Sequence, residues 1–270
     1  MTTTLDRKGG IATVREAASW LGQNPVLIVA YLALGIVNAL GELGVLAGLL
    51  SIVGLFVMLY VDGLSHLVAR DEGFGETVDL SSASETVVDQ FLSLIGIFII
   101  YAVAVTIGLI LLIIPGIYLA LRLSLAFPAC VIDRKDTFES IDASWDAAGG
   151  NLLKLLGITI LAALVFGVAT GVAALLTGLD ETFFAVTVAV SAVVTAIVGP
   201  LVELAYARVY LENRDRAVDE PDDGDTTDEP WDDEPWDEGD DTWDDGTEAW
   251  DEPESTSWDV DDDDRDRRDR

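Results

Sequence analysis

Three side chains with acid–base chemistry, Asp62, His66 and Arg70, follow one another at four-residue spacing, so on a helix they line one face. A carboxylate, a titratable imidazole and a guanidinium in such a row are suited to relaying protons or binding a lipid headgroup. The more common interpretation of such a row is a solvated helix end. Glu203 is expected at a similar depth, paired with Arg208.

Arg122 is a charged residue inside an otherwise apolar segment. It follows Gly116 by six residues, which places it ~9 Å below the outer end of its helix. A buried charge inside a membrane costs several kcal/mol unless it reaches the interface or finds a partner. Two hypotheses follow. Arg122 either binds an anionic ligand or pins the helices through an ion pair with an outer acid, for which the candidates are Glu42, Asp180 and Glu181.

The last 56 residues, 215–270, hold 28 acidic and 5 basic side chains and so carry −23 of the chain's net charge of −32. With few aliphatic residues they cannot offset the entropy of ordering, which predicts a disordered tail. Each of five tryptophans there precedes an aspartate: Trp231, Trp236, Trp243, Trp250 and Trp258. They either dock onto a basic protein partner or belong to a merely solvated tail. Nucleic acid is excluded as a partner because the tail repels phosphate.

Few residues are available for metal binding, disulfide formation or catalysis. One histidine, His66, and one cysteine, Cys130, leave no disulfide within the chain and almost no zinc ligands, so we expect no metal and no cofactor. Within the apolar segments the sequence shows no evident pair of carboxylates and no set of nucleophile and base. A membrane-embedded enzyme is therefore the least supported class.

The elements that must position these residues are apolar helices. Mean hydropathy is +0.39 despite the acidic tail, which excludes a single soluble globular domain. A bilayer core needs ~20 apolar residues per helix. The run from 91 to 127 is too long for one crossing and is expected to break at Pro115-Gly116. We therefore predict an all-α integral membrane protein with six transmembrane helices arranged as three hairpins. The predicted spans are about 25–41, 45–62, 90–113, 116–132, 152–178 and 183–203.

Basic residues predict the orientation of the 24–214 membrane domain. With the N-terminus inside, the inner segments hold Arg7, Lys8, Arg15, Arg70, Arg134, Lys135, Lys154, Arg208 and Arg214. The three outer turns hold none. Residues 1–23 then form a cytoplasmic interfacial segment, the C-terminal tail is cytoplasmic, and the protein is a multi-pass protein of the cell membrane.

A short polar or amphipathic stretch precedes each predicted hairpin, at 13–20, 80–90 and 137–150. The first and third share Ala-Ser-Trp, ending at Trp20 and Trp145. Asp136 with Glu139 predicts a capped helix start for the third. The stretches are either copies of one duplicated module or ordinary interfacial helices.

Glycines at four-residue spacing, Gly44 with Gly48 and Gly167 with Gly171, favour close helix packing in lipid. Packing within the chain is a more common outcome of such a pattern than dimerisation. We therefore expect these pairs to lie at contacts between helices of the domain.

Residues 115–155 resemble one family in particular: the membrane domain fused to some glycerophosphoryl diester phosphodiesterases, together with its stand-alone six-helix relatives. The matching positions are Pro115-Gly116-Ile117-Tyr118, Arg122, Ser124, Ala126, Pro128-Ala129, Ser140, Ser144-Trp145 and Gly150-Asn151. The acidic tail is similar to those of haloarchaeal membrane proteins. The resemblance implies a six-helix body and no activity, because the phosphodiesterase chemistry of the fused proteins belongs to a separate soluble barrel.

The leading hypothesis is a non-enzymatic protein of the lipid bilayer that organises or assists other membrane components, with the tail as a contact arm for a cytoplasmic or membrane protein. The alternative is a transporter or lipid-handling protein in which Arg122 engages an anionic substrate. The two hypotheses differ in where the ligand binds: on the tail in the first, and among the helices in the second.

Overall fold

The computed structural model describes residues 4–42, 47–177 and 181–214, which form ten α-helices and no strand. The helices are α1 (Gly10–Gln23), α2 (Pro25–Glu42), α3 (Ala47–Phe74), α4 (Leu80–Asp89), α5 (Phe91–Leu111), α6 (Ile113–Leu123), α7 (Ala126–Asp133), α8 (Thr137–Ala148), α9 (Leu152–Thr177) and α10 (Glu181–Leu211). The tail, including its five tryptophans, lies outside the described residues.

Five of the described segments are long and apolar enough to cross a membrane: Gly48–Phe74, Phe91–Leu111, Ile113–Asp133, Leu152–Thr177 and Ala185–Asn213. A sixth is reached if α1 and α2, which meet at 91°, count as one bent span. The main difference from the predicted spans lies in α3. The sequence predicts an end near Asp62, but the helix continues to Phe74, so Asp62 lies ~18 Å before its end.

The three stretches that precede the predicted hairpins are short helices, α1, α4 and α8. Asp136 and Glu139 form the predicted capping box at the start of α8. Asp79 caps α4 by accepting from the backbone N–H groups of Ser81 and Ser82. Pro25 begins α2 directly after Asn24, where the missing proline N–H costs nothing and the chain can turn sharply.

The turn between α5 and α6 comes at Leu112, three residues earlier than predicted. Leu112 is extended, with φ −161° and ψ 146°, and Pro115 lies within the first turn of α6, where proline is well tolerated. A Cβ on Gly108 would come within 2.8 Å of the Gly116 Cα, so these two glycines permit the close approach of α5 and α6. Gly116 thus serves helix packing rather than the turn.

The apolar segment Ile113–Asp133 is itself interrupted at Ser124 and Leu125, between α6 and α7. Pro128 lacks the N–H that would bond to the carbonyl of Ser124, which favours the break. Side chains satisfy nearby carbonyls: Ser124 donates to Leu121 (2.9 Å), and Ser144 of α8 donates to Arg122 (2.7 Å). The break is therefore stabilised by the docking of α8.

Helix α10 packs against α1, α2, α3 and α9 and forms the centre of the domain. A Cβ on Gly35 of α2 would lie 2.9 Å from the Ala192 Cα, so α2 and α10 approach at backbone distance. The predicted glycine contacts are wrong: Gly48, Gly167 and Gly171 have open space where a Cβ would point, and Gly44 lies outside the described residues.

Candidate functional site: an acidic cavity between the helices

A cavity of 230 Å³ lies among α3, α5, α7 and α10, within the segments apolar enough to span a membrane. Its polar lining consists of Asp62, Tyr101, Ser124, Glu203 and Tyr206, and its apolar lining of Met58, Leu59, Phe98 and Phe127. We call it the acidic cavity. Its described lining includes two carboxylates and no lysine or arginine, so no basic side chain of the lining neutralises the pair.

Asp62 is positioned by Tyr31 of α2. The Tyr31 hydroxyl donates to Asp62 Oδ1 at 2.6 Å, and Ser65 lies 3.4 Å from the same hydroxyl. The Tyr31 side chain, 2% exposed, lies against Gly199 of α10: a Cβ there would come within 2.6 Å of the ring. Gly199 therefore leaves the space that allows Tyr31 to reach Asp62.

Glu203 lies beside His66. Its Oε2 atom is 3.6 Å from His66 Nε2, and its side chain, 25% accessible, lines the cavity. The imidazole is fully buried, and neither of its ring nitrogens has a hydrogen-bond partner among the described residues.

The row predicted on one helix face is split between two environments. His66 is fully buried and Asp62 lines the cavity, and the interpretation of a solvated helix end is wrong for them because α3 continues past both. Arg70 lies apart and donates to the neighbouring Asp71 at 2.9 and 2.7 Å. The acids brought together are Asp62 and Glu203, which lie far apart in the chain and which the sequence does not pair.

The predicted pairing of Glu203 with Arg208 is also wrong. Arg208, 1% exposed, has its Nε 2.9 Å from Glu16 and an Nη 3.2 Å from Glu212. Glu212 also binds the Lys154 ammonium and accepts from the backbone N–H of Lys8 at 3.2 Å. We call these five residues the terminal ion network, since it joins the N-terminal segment to the end of α10. In the sequence, its basic members indicate only the orientation of the chain.

Arg122 contacts aromatic rings. Its guanidinium lies 4.8 Å from the centre of the Trp145 ring and 5.6 Å from that of Tyr118. Nε donates to the Tyr118 hydroxyl at 3.0 Å, and Nη1 donates to the Trp145 carbonyl. The described contacts of the guanidinium are therefore with Tyr118 of α6 and with Trp145 of α8. The side chains of Glu42, Asp180 and Glu181 lie outside those described.

Trp20 of α1 has an arrangement like that of Trp145, with the Arg208 guanidinium 5.8 Å from its ring centre. The amides of Asn24 and Asn151 likewise both donate to a carbonyl four residues earlier, each at 3.0 Å. The two Ala-Ser-Trp helices are therefore alike in contacts as well as in sequence, which agrees with the module hypothesis.

In comparisons with known proteins, no family model, no curated protein and no solved structure matches the chain. The resemblance over 115–155 therefore stays a prediction. Within the described ranges, no three histidine, cysteine, aspartate or glutamate side chains converge as a set of metal ligands.

Proposed function

We propose that the chain is an integral protein of the cell membrane with six crossings and cytoplasmic termini, and that it binds a small cation in the acidic cavity for transport or exchange. The observation that carries the proposal is the pair Asp62 and Glu203, which face one cavity that no described lysine or arginine lines. Carboxylates in the interior of a helical membrane protein typically mark a pathway for ions or protons.

The negative charge of the two carboxylates favours a cation as the ligand. The hydrogen bond to Asp62 comes from a neutral hydroxyl, that of Tyr31. A carboxylate kept ionised in a low-dielectric interior without a cation costs several kcal/mol. A cation or a proton that enters the cavity removes this cost, whereas an anion would increase it.

The remaining lining favours small cations, including organic ammonium ions. Tyr101, Tyr206, Phe98 and Phe127 contribute aromatic rings beside the two acids. The faces of such rings attract ammonium groups, and a quaternary ammonium is recognised in this way without hydrogen bonds. At 230 Å³ the cavity is smaller than the ~300–1,000 Å³ of most ligand pockets, so the ligand must be small.

Glu203 gives the site a means of exchange, because its side chain lines the cavity and is 25% accessible. A proton bound to this carboxylate removes its charge without any other cation. A cation that binds the ionised carboxylate favours release of that proton. Proton and cation therefore compete for one carboxylate, which is the requirement for coupling their movements.

Of the two hypotheses drawn from the sequence, one loses support and the other is unaffected. An anionic substrate at Arg122 loses support, since the guanidinium already contacts Tyr118 and Trp145. The contact arm formed by residues 215–270 stays a separate hypothesis for regulation or assembly. We propose no enzymatic reaction for the chain.

The proposal is tested with the purified full chain in lipid nanodiscs. Tetramethylammonium chloride should raise the unfolding temperature saturably relative to N-methylglucamine chloride at equal ionic strength, by up to ~3 kcal/mol of stabilisation at 100 times Kd. Glu203→Gln and Asp62→Asn should each abolish the increase, while the exposed Glu85→Gln should retain it. An increase of equal size in Glu203→Gln would refute binding in the cavity. Sodium chloride tests an inorganic cation in the same way, and no response to either cation would also refute the proposal.

The orientation is tested separately by reporter fusions. A reporter joined after Leu112 should be found outside, and one joined after Asn213 inside. An outside result at Asn213 would require an odd number of crossings and would overturn the topology, independently of the cation result.

A further inference from the structure

A groove of 650 Å³ separates the amphipathic helix α1 from the first half of α9. Arg15 and Lys154 form its basic side, and Val14, Gly157, Ile158 and Leu161 form its apolar floor. A crevice of 130 Å³ shares Val14, Ile158 and Leu161 with the groove and continues between α9 and α10. The two spaces are therefore contiguous, with basic groups at one end and only apolar side chains at the other.

The charges at the basic end are not balanced. Lys8, Lys154 and Arg208 share the two carboxylates of Glu16 and Glu212. Arg15 is exposed and takes part in none of the ion pairs found among the described residues. An excess of positive charge beside an apolar slot fits an amphiphile with a negative head.

From this geometry we infer that the α1–α9 groove binds an anionic phospholipid, with the phosphate at Arg15 and one acyl chain in the crevice between α9 and α10. The source of the ligand is the leaflet that α1 contacts. Ile11 and Leu153, 90% and 85% exposed beside the groove, are apolar side chains that lipid would cover. The inference does not depend on the cation site, since α1 contributes no residue to the lining of the acidic cavity.

The lipid would join an element that lies along the membrane to one that crosses it. Arg15 belongs to α1, while Ile158 and Leu161 belong to α9. An amphiphile that contacts both helices favours the docked position of α1 over its release. Stabilisation by one class of lipid is therefore the measurable consequence.

The test uses the purified full chain in neutral detergent, titrated with phosphatidylglycerol or phosphatidylcholine while thermal unfolding is followed. Phosphatidylglycerol should raise the unfolding temperature saturably, and phosphatidylcholine should do so only at much higher concentration. Arg15→Gln should raise the half-saturating concentration of phosphatidylglycerol about five-fold, as expected for the loss of one basic contact with an anionic lipid. Lys135→Gln removes an equal charge away from the groove and should leave the titration unchanged.

A second variant tests the α1–α9 groove without removing a charge. Gly157 lines the groove and has open space where a Cβ would point, so Gly157→Leu should fold and fill the space meant for the lipid. It should reduce the response to phosphatidylglycerol, whereas Gly171→Leu on the same helix should not. Equal responses to the two lipids, or a response that neither Arg15→Gln nor Gly157→Leu changes, would overturn the inference. Stabilisation by glycerol phosphate as strong as that by the lipid would likewise overturn it, because the acyl chain would then contribute nothing.

Discussion

Replacement of Gly199 by alanine tests whether the Tyr31–Asp62 contact depends on the absence of a side chain on α10. The new Cβ would lie 2.6 and 2.7 Å from two ring carbons of Tyr31, against ~3.5–4 Å for ordinary carbon contacts. The ring must therefore move by roughly 1 Å. The bond from its hydroxyl to Asp62, now 2.6 Å, would lengthen beyond hydrogen-bonding distance.

The expected cost follows from these distances. Overpacking a well-packed site costs ~1–3 kcal/mol. Loss of a hydrogen bond to a carboxylate adds ~1.5–3 kcal/mol. Alanine recovers ~1 kcal/mol over glycine in a helix, which leaves a net loss of about 1.5–5 kcal/mol for Gly199→Ala. In a domain of this size the loss corresponds to a fall of roughly 3–20 °C in Tm.

The assay is thermal unfolding of purified protein in nanodiscs, with Gly171→Ala as the matched control. A Cβ on Gly171 would meet no atom within 4 Å, so this alanine variant should be as stable as the parent or slightly more so. Because Gly199 precedes Pro200, part of the cost could arise from strain before proline rather than from Tyr31. Tyr31→Ala removes the ring, so in that background Gly199→Ala should cost clearly less. Equal costs in both backgrounds, or a Gly199→Ala protein as stable as the Gly171→Ala control, would refute the reasoning.

The remaining predictions concern two charged side chains, Arg122 and Glu212, and the tail. Arg122→Leu should lower stability by about 2–4 kcal/mol through the loss of a charged hydrogen bond and two ring contacts. Arg122→Lys should also lose much of this stabilisation, because a lysine cannot contact both rings and the Trp145 carbonyl at once. Full stability of the lysine variant in thermal unfolding would contradict that geometry. Glu212→Gln should cost ~3–5 kcal/mol, since it leaves the Lys154 and Arg208 charges with too few carboxylates; an unchanged unfolding temperature would show that the network is solvated. Replacing all five tail tryptophans by alanine should abolish specific partners in pull-downs from native membrane if the tail is a contact arm, and unchanged partners would favour a merely solvated tail. These five are Trp231, Trp236, Trp243, Trp250 and Trp258.

The elements that the sequence predicts well depend on local information. The apolar runs of α5 and α9 are long and uninterrupted, and their observed ends lie within a few residues of the predicted ones. The cap of α8 depends on two residues three positions apart, so it is readable in the sequence. The observed end of α3 depends on a contact with another helix: α3 continues past Asp62 to Phe74, and the Tyr31 hydroxyl of α2 donates to the Asp62 carboxylate within it.

The site itself depends on contacts between distant segments. Asp62 and Glu203 face one cavity because α3 and α10 pack together, and no spacing in the sequence reveals that packing. Gly199 could have indicated a close approach, since a glycine beside a proline in a helix needs a reason, but not which ring it accommodates. Gly167 and Gly171 of α9 show the opposite case: their regular spacing predicts a helix contact, but both positions face open space.

The terminal ion network also has a consequence for biosynthesis. The hydrogen bond from the backbone N–H of Lys8 to the Glu212 carboxylate joins residues 204 positions apart. The hydrogen bond from the Arg208 guanidinium to the Asp6 carbonyl joins residues 202 positions apart. Asp6 and Lys8 therefore meet these partners only after α10 has been made. Until then Glu16 lacks Arg208, and α1 lacks its contacts with α10. Contacts of such sequence separation form late in folding, so a chain truncated within α10 would retain its earlier spans yet expose an unpaired N-terminal segment to quality-control proteases.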